Sequence, residues 1–106
     1  MSVVRGVKIV LDEEKVLREG KYKLDELYAY LDETAKIAKL TKQDKYTYVG
    51  NGSKHDAARV GIFCIAEVID NEAITKNLKE WYWLDNGVIC GNIINECKEE
   101  GMGVWE

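Results

Sequence analysis

The amino-acid sequence predicts an α+β fold: a small two-stranded sheet covered by about four helices in a single domain, residues 1–106. Three observations lead there. β-branched and aromatic residues crowd into two short runs, around Val7 and around Tyr48. Elsewhere, apolar residues recur mostly at steps of three and four, the period of an amphipathic helix. The chain has 106 residues and no proline. With no repeat or low-complexity stretch to mark an internal boundary, that length is one domain's worth.

Taken in order, Val3, Val7, Ile9 and Leu11 alternate with Val4, Lys8 and Val10 and read as the first strand. Asp12 offers a helix cap, and "EEKVLRE" makes a short helix that Gly20 ends. Leu24, Leu27, Tyr28, Leu31, Ala35 and Ala38 form a stripe that predicts a long helix over about 23–40. Its acids come early and its bases late, which suits the helix dipole. "KYTYVG" reads as the second strand. Residues 56–69 are rich enough in β-branched side chains for a buried strand. Their length, and the capping-box pattern of Ser53 and Asp56, favour a buried helix. "NEAITKNLKEWYWLD" places Ile74, Leu78, Trp81 and Tyr82 on one helical face, and "NGVICGNIINECKEEG" places Ile89, Cys90, Ile93, Ile94 and Cys97 on another. Both are expected to be helices. On such a helix Trp81 joins the core stripe and Trp83 turns away from it, toward a contact. In a strand, Trp81 and Trp83 would share one face, and Tyr82 and Leu84 the other.

Composition narrows the function. A formal charge of -4 and basic residues interleaved with acids argue against a general nucleic-acid binder, which needs a cationic patch to displace counterions. No apolar run approaches the ~20 residues of a membrane span. The start, "MSVVRGVKIVLDEE", lacks a signal-peptide layout, so a cytoplasmic protein with no membrane partner is expected. Cys64, Cys90 and Cys97 sit in apolar surroundings with no CxxC pair, and are expected to be buried free thiols rather than metal ligands.

"YVGNGSKHDAAR" is the most site-like stretch. Its glycines supply a turn, Ser53 opens a helix whose free amides could hold an anion, and Lys54, His55 and Asp56 cluster beside it. It lacks the glycine and lysine pattern of a phosphate-binding loop. His55 and Asp56, being neighbours in sequence, diverge by about 100° on a helix and cannot act as a base and its orienter. Asp85, Glu96, Glu99, Glu100 and Glu106 make the C-terminal half locally acidic, a surface that could imitate a phosphate backbone.

Three blocks, "VKIVLDEEKVLREGKYKLDELYAYLDE", "YVGNGSKHD" and "VID…LKEWYWLDN", resemble in order and spacing small uncharacterised proteins carried by Gram-positive conjugative elements and phages. The resemblance covers residues 7 to 86. It carries no activity; it implies a genomic setting in which accessory proteins bind and inhibit host defence machinery. The function expected is therefore a non-enzymatic protein-binding accessory protein of a mobile element. Its partner would be a host protein, a defence nuclease such as an RNA-guided one, inhibited in the anti-CRISPR manner. No catalytic residue, cofactor or metal is expected, and contact is expected through Trp83, Asp85, Lys54, His55, Glu99 and Glu100. The alternative is a small helical regulator that binds nucleic acid through Lys36, Lys39, Lys42 and Lys45.

Overall fold

Five antiparallel strands form the sheet, not two. A computed structural model describes residues 3–103 and 105. Strand β1 (Arg5–Leu11) lies at the centre of the sheet. It is flanked by β3 (Thr47–Val49) and β4 (Leu78–Asp85), with β2 (Thr41–Asp44) and β5 (Val88–Asn92) at the edges. The helices are α1 (Glu13–Glu19), α2 (Leu24–Ile37), α3 (Asp56–Gly61), α4 (Glu72–Thr75) and α5 (Ile93–Glu99). A π-helical turn, Ile62–Glu67, and a 3₁₀ turn, Val68–Asp70, join α3 to α4.

The first half follows its local signals. The Asp12 side chain accepts the Lys15 amide at the start of α1, and Gly20 closes that helix in the left-handed conformation. Helix α2 buries Leu27, Leu31, Thr34 and Ala35 and stops where Lys39 turns to a φ of 62°. Residues 56–69 are helical, though only their first turn and a half is α-helix.

The expectation of a two-stranded sheet under four helices fails in the second half. Residues 71–85 were expected to form one helix, yet α4 ends at Thr75 and Leu78–Asp85 is a strand. It pairs with β1 along its length, Ile9 opposite Trp81 and Val7 opposite Trp83. Three consecutive aromatic rings suit a pleated surface better than a helix, where they lose side-chain freedom against the preceding turn. Residues 86–101 were also expected to be helical throughout. Instead Asn86 and Gly87, at φ 49° and 80°, make a tight turn into β5, and only the end of the segment is helix. Two consecutive positive φ values are what a two-residue hairpin of primed type requires, and Asn-Gly meets that at low cost.

Antiparallel partners share a face, so the register places Val7, Ile9, Tyr48, Trp81 and Trp83 on one side of the sheet. All the helices that feed the core lie on that side. Leu31, Val60, Phe63, Cys64, Ile74, Ile93 and Cys97 join Val7, Ile9, Leu11, Tyr48 and Trp81 in one buried cluster.

Candidate functional site

The Gly-Asn-Gly-Ser turn is organised around a carboxylate of the chain itself. Asp56 is fully buried. It accepts the Asn51 amide at 3.1 Å and the Gly52 amide at 2.7 Å, and Arg59 stands 3.9 Å away. A Cβ on Gly50 would collide with this carboxylate, which accounts for glycine there. Burial alone would push the Asp56 carboxyl up. The Asn51 and Gly52 amides, with Arg59, outweigh it and hold the group below its ordinary value. The expected capping box is thus rearranged. Ser53 Oγ accepts the His55 amide at 3.1 Å, and Asp56 reaches back to the amides before Ser53. Of the amides at the start of this helix, that of His55 already serves Ser53 Oγ.

This turn rests beside the ends of β1 and β4, where a cavity of about 290 Å³ opens. Val60 and Ala57 of α3 form one wall, and Trp83 with Leu84 the other; Arg5, Asp85 and Cys90 also line it. Arg5 and Asp85 stand opposite each other in the ladder and join in an ion pair of 3.3 Å. Trp83 is half-buried against the core, and its indole N–H donates to Glu96 Oε1 at 3.2 Å. An adjoining depression shares Arg5 and Ala57 with the cavity and adds Ser53 and Lys54. The result is a shallow groove with an apolar floor and a rim carrying both signs of charge.

Of the six residues expected to make contact, three line this groove: Trp83 and Asp85 in the cavity, and Lys54 in the depression. His55 is exposed next to Lys54. Glu99 and Glu100 are exposed at the far end of α5 and line neither. Trp83 reaches the groove by a different route from the one expected. It shares Trp81's face on a strand, so it packs partly against the core and presents one edge outward. Arg5, Ala57 and Cys90 were not singled out from the sequence. The signal for Arg5 was a charge inside the otherwise β-branched start of a strand.

The lysines of the alternative reading are partly committed. Lys42 pairs with Asp32 at 3.0 Å. Lys45 reaches Glu13 at 3.3 Å and lies over the Tyr28 and Tyr46 rings. Glu13 also accepts the Tyr28 and Tyr46 hydroxyls, each at 2.9 Å, and these bonds, Tyr28's foremost, hold its carboxyl below the ordinary value. Lys36 and Lys39 are exposed.

The three cysteines do not share one environment. Cys64 and Cys97 are buried, but Cys90 is exposed on the edge strand, which corrects the expectation of three buried thiols. Partial desolvation pushes the Cys90 thiol up, and Asp85 beside it adds to that. Since the thiolate is the reactive form, Cys90 is accessible but slow. A thiol reagent should find one group per native chain, reacting sluggishly at pH 7 and faster as pH rises past 9, and three after unfolding. Two or more groups reacting in the native protein would contradict this placement.

Among the described residues, no three His, Cys, Asp or Glu side chains gather so as to hold a metal ion, and no helix is long and apolar enough to cross a membrane. Comparison with protein-family models, with curated proteins and with solved structures finds no match to this chain.

Proposed function

We propose that this chain is a non-enzymatic protein-binding accessory protein of a mobile element, acting as an inhibitor of a host defence nuclease of the RNA-guided kind. The observation that carries the binding part is the groove. Lys54, far in sequence from Trp83 and Asp85, comes with them to one concave surface with an apolar floor and a charged rim. Interfaces concentrate their energy in such places, where a half-buried aromatic is ringed by polar groups that exclude water. Arg5 and Asp85 in the groove pair with each other, and the Trp83 indole donates to Glu96 behind it. That arrangement suits recognition rather than proton transfer. The nuclease part rests on the resemblance to mobile-element proteins and on the acidic charge, which suits a surface that competes for a nucleic-acid channel.

Direct nucleic-acid binding is the competing reading, and salt separates the two. Each phosphate contacted lowers log affinity by about 0.9 per unit of log salt. With Lys42 and Lys45 paired to carboxylates, the purified protein should not retard single- or double-stranded DNA or RNA at moderate salt. Tight, salt-sensitive retardation would replace this proposal with the alternative.

A further inference from the structure

The second face of the sheet has no covering layer. The register turns Lys8, Val10, Thr47, Val49, Glu80, Tyr82 and Leu84 away from the helices, and Ile89 stands opposite Leu84 on the same side. A groove of about 530 Å³ runs over this face. It is lined entirely by strand and hairpin residues, among them Lys8, Thr47, Leu84 and Ile89. The solvated face of an antiparallel sheet is ordinarily polar. Here Val10, Val49 and Tyr82 are half-buried, Leu84 and Thr47 are buried, and Ile89 is 53% exposed.

The charges on this face are the second observation. Lys8 and Glu80 are half-buried and of opposite sign. Lys8 sits across from Tyr82, and Glu80 across from Val10, so the two charges are diagonal neighbours. Neither takes part in an ion pair or side-chain hydrogen bond among the described residues.

We propose that this face pairs with the same face of a second copy of the chain, related by a two-fold axis. The symmetry brings Lys8 of each copy to Glu80 of the other, twice, while the apolar side chains interdigitate between the sheets. A two-fold contact must be complementary to itself. A patch holding one cation and one anion meets that condition in a protein whose net charge of -4 makes most other self-contacts repulsive. The size sets the strength. The five strands total 27 residues, which at a rise of ~3.3 Å and a spacing of about 4.8 Å present a face of roughly 430 Å² per copy. Two such faces bury roughly 850 Å² in total, less than a stable specific interface. The dimer is accordingly weak and reversible, and forms toward the upper end of the concentration range. This pairing is independent of the proposed partner, whose groove lies at the helix side of the sheet, and is measured on the pure protein.

Sedimentation equilibrium across low-micromolar to near-millimolar protein tests it. The wild type should pass from one chain of 12.1 kDa toward twice that mass. K8E and E80K should each associate about tenfold more weakly or worse, because like charges then face each other twice. An equimolar mixture of K8E and E80K should associate like the wild type, since the mixed pair places opposite charges together at both contacts. Circular dichroism confirms that each variant is folded. Should either strand variant fail to fold, I89D, at an exposed position, serves in its place and should also dissociate the dimer. A wild type that stays monomeric throughout overturns the proposal. So does a K8E and E80K mixture no more associated than its components, or an I89D protein as dimeric as the wild type.

Discussion

Replacing Trp81 by alanine should destabilise the protein more than any other single change in the sheet, by roughly 3–5 kcal/mol. Trp81 is fully buried and heads the largest side chains of the core. It stands opposite Ile9 on the central strand pair, so truncation opens a cavity where sheet and helices meet. A domain of this size has a total stability of about 5–15 kcal/mol. At about 4–8 °C per kcal/mol, the melting temperature should fall by more than ~12 °C. The indole N–H forms no regular hydrogen bond; the Cys64 thiol is the polar group beside it. Trp81→Phe therefore forfeits little beyond volume and should fall well short of the alanine variant. Trp83→Ala should cost about 1–2 kcal/mol, because that ring is only half-buried. Thermal melts of the three variants check the ordering. A Trp83→Ala variant as unstable as Trp81→Ala would place Trp83 wholly in the core and remove it from the contact surface.

Asp56→Ala should have the second largest effect, about 3 kcal/mol, by leaving the Asn51 and Gly52 amides without their acceptor in a buried site. The pH dependence has a definite sign. The folded-state carboxyl lies below its ordinary value of 3.8. Its contribution is therefore complete above the unfolded-state value and is lost as pH falls through the folded one. Wild type and Asp56→Asn should differ by a constant amount above about pH 5, and the difference should shrink toward more acidic pH. Glu13 and Asp32, also held low, titrate in the same window in both proteins and cancel in that comparison. A difference that grows on acidification would show that Asp56 is not the anchor of the turn.

Elements whose signals are local were legible in the sequence. The Asp12 cap, the Gly20 stop and the stripe from Leu24 to Ala35 each depend on residues within one or two turns. The second half was misread because two periodicities coincide there. Ile74, Leu78, Trp81 and Tyr82 fit a helical face, yet Trp81 and Trp83 also fit a strand face. The decision rests on β1, more than seventy residues away, whose Val7 and Ile9 wait for partners. Long-range pairing of this kind leaves no short-range trace. The Asn86-Gly87 turn, however, is a local hairpin signal, and reading it would have recovered β4 and β5 together. The site was partly legible for the same reason. Lys54 was found because it sits on a conspicuous turn. Arg5 and Cys90 became visible only once the strands were in register.

In the proposed function, the groove between the Asp56 turn and the Arg5–Asp85 pair receives a protein and so blocks a nuclease. Titrating the purified protein into DNA cleavage by a panel of RNA-guided nucleases from Gram-positive hosts tests it most directly. At least one of these enzymes should be inhibited at near-stoichiometric protein. D85K and K54E, both at exposed or half-exposed positions, should relieve that inhibition at least about tenfold while melting like the wild type. Cleavage unchanged across the whole panel, or inhibition that both variants retain in full, would contradict it.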